Sequence, residues 1–469
     1  MRDSSGNVSG FRKAAERAAD AIRGADYVKV ITHIDADGIS AGSIASLALD
    51  RLGIAHEVVF EKKITEEVVS GVNTCKDLVW ICDLGSGYAS EFSKNGLVIT
   101  DHHVPDSRKK RRQTVLEDFV AVYHVNPHLF GMDGSREISG AGVTYEVAKK
   151  LNPENTDLAY LAVIGAVGDF QDSVEYGLTG MNRSILEDAV KEGDVIAEKD
   201  LRLFGRETRS LIQYLQYSNE PELPGLTNSG PACARFYSEL GISLNDGGRT
   251  KSWNDLGPKE KSRVTEKLVE LVGSDKEHML IGEVYTLPKF EKGTGLRDAK
   301  EYATLLNSCG RYDDAETGMR ICKGDVSALA DAEANRTEHR RNISGAINYI
   351  KENRLIRERR FLQYFDAGDE IKETVVGIVA GMVLNSGICK RELPIIAFAD
   401  AEDGIKVSAR ADHSLMDRGL NLSFVMKTAA EHVGGFGGGH SIAAGATIPP
   451  DKKEEFLEAA EDLISCQVI

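Results

Sequence analysis

Eight acidic and imidazole residues in this 469-residue chain fall into four groups whose types and spacing suit metal-assisted chemistry: His33-Ile-Asp35-Ala-Asp37-Gly38, a lone Asp83, the unbroken Asp101-His102-His103, and Asp169. In an extended segment the i, i+2, i+4 spacing of His33, Asp35 and Asp37 puts three ligating groups on one side of the backbone, and Gly38 then lets the chain turn. Carboxylates gathered without a cation repel one another and take up protons, whereas divalent ions hold them ionised. A donor set of oxygen and imidazole nitrogen without thiolate favours Mn²⁺ or Mg²⁺ over structural zinc. Two such ions roughly 3.5 to 4 Å apart suit displacement at phosphorus.

The elements that must position these groups follow from hydrophobic patterning. A helix near 11–24 precedes an apolar run, Tyr27 to Thr32, that reads as a buried strand, and a helical stretch runs from Gly38 to Leu52. Further short apolar runs recur at His56 to Phe60, Leu78 to Cys82, Leu97 to Thr100 and Val120 to Val125. Their alternation with helical segments predicts an α/β fold with a mainly parallel sheet and ligands at the carboxyl ends of its strands. His33, Asp83 and Asp101 each lie just after such a strand, and Asp169 ends an apolar helix over 156–169. A single Asp after a strand is more often a turn or cap residue; the metal reading rests on the joint pattern.

The texture changes from about Lys199 to Gly293, where turn signals cluster, and this stretch reads as an inserted, mostly helical module. The expected organisation is a catalytic domain at 1–195, the module at 196–295, a return to the catalytic core at 296–324, a long connecting helix at 325–365, and a second α/β domain at 366–469. In that last domain a helix at 373–385 precedes strands at 394–398 and 404–409, a helix at 421–432 and a glycine-rich turn, Gly434 to His440.

Seven scattered cysteines without a CxxC pair indicate neither a disulfide framework nor a thiolate zinc site, and fit a reducing cytoplasm. Neither a signal peptide nor a membrane span is expected. A net charge of −16 argues against a protein that coats nucleic acid by charge alone. It leaves room for a nuclease, because bound cations and local basic stretches, Arg108 to Arg112 and Arg336 to Arg360, can supply positive potential.

The HxDxDG, Asp, DHH and Asp series resembles the successive motifs of the DHH phosphoesterase superfamily, with Ser139-Gly-Ala-Gly-Val143 similar to its glycine-containing helix start. The resemblance implies that His33 and Asp35 hold one metal, that Asp37, His102 and Asp169 hold the other, and that Asp83 bridges them, leaving His103 to face the phosphate. Gly437-Gly438-Gly439-His440, with Ala443-Ala-Gly445 after it and Arg410 upstream, resembles the accompanying DHHA1 domain and implies a site for a phosphate or terminal nucleotide. Pro224-Gly-Leu-Thr227, Leu296 to Arg311 and Val375 to Gly381 look most like RecJ-type single-strand exonucleases, particularly archaeal ones. This likeness implies release of mononucleotides from single-stranded DNA or RNA in replication or repair, with two Mn²⁺ or Mg²⁺ ions, Asn307 and Arg311 as phosphate or sugar contacts, and docking of the GINS complex of the replicative helicase on the inserted module. Two rivals stay open: a small-substrate phosphodiesterase acting on cyclic dinucleotides, oligoribonucleotides or nucleoside bisphosphates, and a replication-helicase scaffold with secondary nuclease activity.

Overall fold

Five short strands build the first sheet: β1 (Tyr27–His33), β2 (Ala55–Glu61), β3 (Leu78–Cys82), β4 (Leu97–Thr100) and β5 (Val122–Val125). All pairings are parallel and the order is β2-β1-β3-β4-β5. β4 is buried along its whole length and β3 nearly so, as a sheet covered on both faces requires. The computed structural model describes residues 4–106, 122–173, 175–218, 221–439 and 441–468; the basic run Arg108 to Arg112 and His440 lie outside them. It divides into two compact units, Met1–Asn335 and Arg336–Ile469.

In the first unit, helices Ser4–Arg23, Ala36–Leu52, Gly140–Leu151 and Ala159–Gly168 contribute to one large core, while a smaller cluster around Ile64, Val72, Val79 and Phe92 packs against Ile81 and Ile99. Side chains at alternate positions of β3 point to the two cores, Trp80 into the first and Ile81 into the second. Between β1 and β3 the strand order reverses direction, and the crevice above such a switch point is where open α/β sheets bind ligands.

Residues 203–278 form a separate core around Tyr214, Trp253 and Leu268. The segment is mainly helical, with Leu211–Gln216, Gly230–Glu239 and Pro258–Val272. It is entered and left through a two-stranded antiparallel ribbon, Ile196–Leu201 with Ile281–Thr286. Buried Arg206 joins this segment to the rest of the first unit, its guanidinium 2.9 Å from Asp200 and 3.2 Å from Asp298.

The second unit carries a six-stranded mixed sheet, among them Gln363–Asp366, Ile395–Ala401, Gly404–Arg410, Phe436–Gly439 and Ala443–Ile448. Two expectations are corrected here. The helix expected to run to residue 365 ends at Glu352, and the charged stretch after it forms strands Arg357–Glu358 and Gln363–Asp366. The glycines expected to form only a turn form an edge strand, Phe436–Gly439, paired with Ala443–Ile448. Glycine is needed there for close approach: a Cβ on Gly437 would lie 2.5 Å from the Met426 carbonyl oxygen.

Candidate metal centre

Sheet register fixes the height of the site. Thr32 pairs with Cys82, Cys82 with Thr100, and Thr100 with Val125, so His33, the last residue of β1, stands level with Asp83, Asp101 and Asn126, which follow β3, β4 and β5. Asp83 makes a sharp exit with φ 59°, a left-handed conformation that Asp tolerates better than most residues. Its N–H still donates to the Thr100 carbonyl at 2.8 Å.

Two helices meet the edge from the side. Asp37 lies in the first turn of Ala36–Leu52, and its two oxygens accept from Gly140 N at 2.6 Å and Ala141 N at 3.0 Å, the opening N–H groups of Gly140–Leu151. Such charge-assisted bonds each contribute about 1.5 to 3 kcal/mol, and the helix dipole adds to the preference for an anion. Glycine makes the approach possible: a Cβ on Gly140 would sit 2.2 Å from Asp83 Oδ1, and one on Gly165 2.3 Å from Asp37 Oδ1. Asp169 terminates Ala159–Gly168 as its C-cap.

The described residues thus gather three triads whose ligating atoms lie within 4.8 Å of one another: His33, Asp35 and Asp83; Asp37, His102 and Asp169; and Asp83, His102 and His103, which links the first two. His33 Nδ1 is 2.9 Å from Asp35 Oδ2 and 3.7 Å from Asp83 Oδ2. His102 Nε2 is 3.2 Å from Asp169, 3.3 Å from Asp83 and 3.8 Å from Asp37, which puts Asp83, a member of the first triad, beside the second. Although these distances are short, His33 Nδ1, Asp83 Oδ1 and His102 Nε2 are buried and make no aligned hydrogen bond.

His102 is oriented from behind. Its Nδ1 lies 2.7 Å from the Gly134 carbonyl oxygen, which can only accept, so Nδ1 carries the hydrogen and a neutral ring turns the Nε2 lone pair toward three carboxylates. That contact is repulsive unless a cation or a proton stands between them. Four carboxylates, Asp35, Asp37, Asp83 and Asp169, face two imidazoles, so protonating both rings still leaves two negative charges in the ligand set. The donors therefore fit divalent cations.

The electrostatics register the same excess. Burial, then the charges of Asp83 and Asp169, holds the Asp37 carboxyl well above the usual carboxylate range. Burial also raises Asp169, against the opposing pull of His102. Burial disfavours a charged ring at His33 and His102, yet the adjoining carboxylates outweigh it and hold both well above an ordinary imidazole. Burial likewise opposes ionisation of Asp35, but His33 and the Gly38 N–H override it and leave Asp35 low.

His103 differs from its neighbour. It is 57% exposed on its side chain, and its Nδ1 sits 2.7 Å from Asp101 Oδ1, leaving Nε2 for a ligand. Asp101 is buried and also accepts from Ser86 N and His103 N, so it acts as a positioning residue. Sequence reasoning missed the layer behind the site. Gln171 donates to the Gly134 carbonyl at 2.9 Å and accepts from Asn182, and Asn126 donates to the His103 carbonyl and to Ser86 Oγ, both at 2.8 Å. The position of Asn126 just after an apolar run was the one available signal.

Asn307 Oδ1 accepts from Ala36 N at 2.9 Å, which ties the opening turn of helix Ala36–Leu52 to helix Ala299–Arg311. Arg311 is largely buried within electrostatic reach of Asp35. In the second unit, Arg410 ends strand Gly404–Arg410, opposite Ala443, and a Cβ on Gly377 would lie 2.7 Å from its Nη2. Gly438 and Gly439 pair with Gly445 and Ala444 one strand further on.

Comparison with known proteins agrees with this architecture. The family described as the DHH-CID domain matches residues 203–278, and the DHHA1 domain matches 359–465. A protein of Methanocaldococcus jannaschii is 30% identical over 458 residues, covering 94% of each chain. The fold is similar to that of RecJ from Thermus thermophilus, solved in complex with Mn²⁺, at 17% identity and a TM-score of 0.58; the match covers 97% of this chain and 55% of that one, so this chain spans about half of that RecJ. It is also similar to CDC45 from Entamoeba histolytica, at 13% identity and a TM-score of 0.61 over 98% of both chains. The chain carries the DHH-CID and DHHA1 domains and belongs to one family with the M. jannaschii protein; its fold is RecJ-like.

Proposed function

We propose that this protein is a metal-dependent exonuclease that hydrolyses terminal phosphodiesters of single-stranded DNA or RNA to mononucleotides. The observation that carries this reading is the pair of triads at the carboxyl edge of the sheet, one containing Asp83 and the other reaching within 3.3 Å of it through His102, with three buried ligating atoms that make no aligned hydrogen bond. His33 and Asp35 would hold one ion, Asp37, His102 and Asp169 the other, and Asp83 would bridge. Two Mn²⁺ or Mg²⁺ ions would supply an activated water and offset the charge that develops on phosphorus.

The chain's own residues prepare that chemistry. Asp101 fixes the His103 ring so that Nε2 can contact a phosphate oxygen, and Gly134 fixes the tautomer of His102. Asn307 steadies the Ala36 turn through its Oδ1, and its amide nitrogen would contact the phosphate or sugar, with Arg311 beside Asp35 as the second contact. Arg410 and the strand Gly437, Gly438 and Gly439, followed by His440, would receive a terminal phosphate in the second unit. Digestion of end-labelled single-stranded DNA and RNA in Mn²⁺ tests the reading; a time course without mononucleotide release from either polymer would sink it.

One observation favours a second reading. Similarity to CDC45 over nearly the full length of both chains supports a replication-complex scaffold with secondary nuclease activity, in which the 196–295 module docks a partner such as the GINS complex. The complete ligand set weighs toward catalysis. A pull-down with purified GINS proteins, using chains with and without the module, separates the two roles.

A further inference from the structure

Ligands line only part of the cavity that opens beside the candidate metal centre. It measures about 250 Å³, and His33, Asp83, Asp101 and His103 form one side. The other side holds Lys62, Lys63, Ile64, Tyr88 and Val104. Lys62 and Lys63 follow β2, and Tyr88 ends the short turn after β3, so the same sheet edge that delivers the ligands also delivers this wall. Tyr88 is 39% exposed and Val104 74% exposed, an aromatic and an aliphatic surface left open beside a charged centre.

Three properties of the wall point to one occupant. In a chain of net charge −16, a carboxylate-rich centre repels a polyanion, and two lysines on its rim offset that repulsion where a phosphate would enter. Lys62 also pairs with Asp313 at 2.9 Å, with both side chains exposed, so its ammonium lies at the solvent-facing rim. An open Tyr face next to apolar side chains suits a base, which stacks on aromatics whatever its identity. The volume falls just under the roughly 300 Å³ at which pockets for small molecules begin, room for one nucleoside rather than a stretch of polymer.

We infer that this cavity seats the nucleoside adjoining the scissile phosphate, its base against Tyr88 and Val104 and its outer phosphate on Lys62 and Lys63. The inference rests on the phosphodiesterase reading above and adds a subsite on the first unit alone.

Gly87 offers a clean test. It lines the cavity, and a Cβ built on it meets no atom within 4 Å, so Gly87→Leu adds bulk at the cavity wall with no clash at its Cβ. The double variant Lys62→Glu/Lys63→Glu reverses the charge independently of the steric change. KM is measured in Mn²⁺ for a ten-nucleotide single strand and for bis(p-nitrophenyl) phosphate, with melting temperatures as a fold control and Lys267→Ala, a distant surface change, as the reference. Both cavity variants should raise the oligonucleotide KM about tenfold, the order expected from one lost base stack or two lost phosphate contacts, and raise it far more than for the small diester. The lysine variant should also flatten the salt dependence of the oligonucleotide KM. Unchanged oligonucleotide KM and salt dependence in both variants, with hydrolysis intact, would overturn the subsite alone. Failure of the unmutated protein to cleave either substrate would bring down the phosphodiesterase reading, and the subsite with it.

Discussion

The carboxylate site of the first unit and the surroundings of Arg410 in the second both bury charge without its opposite, and they do so with opposite sign. In the first, four carboxylates crowd two imidazoles and leave ligating atoms without hydrogen bonds. In the second, the Arg410 guanidinium donates to its neighbour's carbonyl, Ala409 O at 2.8 Å, and no carboxylate faces it among the described residues; burial alone pulls its pKa down. An isolated buried charge is costly, so each arrangement is stable in company with a ligand of the other sign. The first arrangement suits cations and the second an anion, as the proposed function requires.

The largest expected effect breaks the first side of that comparison. Asp83→Asn keeps the shape of the side chain and tolerates the left-handed backbone at this position, but removes the charge that lies in one triad and 3.3 Å from His102 of the other. Mn²⁺-dependent hydrolysis should fall by about 10³-fold, with little change in melting temperature. A variant retaining more than a tenth of the activity would remove Asp83 from the bridging role.

Breaking the other side should act on binding. Arg410→Met keeps the aliphatic stem but deletes the charge, and should raise KM for a single-stranded oligonucleotide by about ten- to a hundredfold, in line with the roughly 1.5 to 3 kcal/mol of a charge-assisted hydrogen bond. Gly377→Ala, whose Cβ would press on the Arg410 guanidinium at 2.7 Å, should shift KM in the same direction with Arg410 still present. An unchanged KM in both would detach Arg410 from the substrate.

How much of this was legible in the sequence depends on how local each cause is. Strands β1, β3 and β4 were legible because strands covered on both faces are short apolar runs, and His33, Asp83 and Asp101 because each ends or directly follows one of those runs. The edge strand Phe436–Gly439 was not, since its glycines look like turn residues until helix Leu422–His432 is seen packed over Gly437. Nor was the second layer. Asp101 belongs to the DHH run, yet its carboxylate is taken up by His103 and Ser86. Asn307 meets Ala36 from 271 residues away, and nothing local marks that partnership. Gln171 and Asn182 likewise read as ordinary polar positions near helix ends until the fold stacks them behind the Gly134 carbonyl.

A smaller effect should arise where that unseen layer touches the ligand loop. A Cβ on Gly310 would lie 1.8 Å from the Ile34 carbonyl oxygen, backbone that sits between His33 and Asp35. Gly310→Ala should therefore cost about 1 to 3 kcal/mol and weaken Mn²⁺ binding, both measurable by thermal melts over a metal titration. Equal metal affinity in the variant would show that the ligand loop absorbs the clash without moving its donors.

The smallest effect tests the charge excess itself, through pH. His33 and His102 are held well above an ordinary imidazole in the metal-free fold. A group whose folded pKa lies above its unfolded value contributes stability that is full below the unfolded value, about 6.5 for His, and is lost as pH rises through the folded value. Asp37 and Asp169, raised in the same way, lose their contribution over a lower range that starts near the ordinary carboxylate value of about 3.9. Metal-free protein should therefore melt at progressively lower temperature as pH climbs above about 6.5. Saturating Mn²⁺ should reverse the trend, because ligands must be deprotonated to bind and binding strengthens as pH rises. Parallel melting curves with and without Mn²⁺ across that range would mean that the carboxylates and imidazoles are balanced by something other than metal, and the contrast with Arg410 would lose its first member.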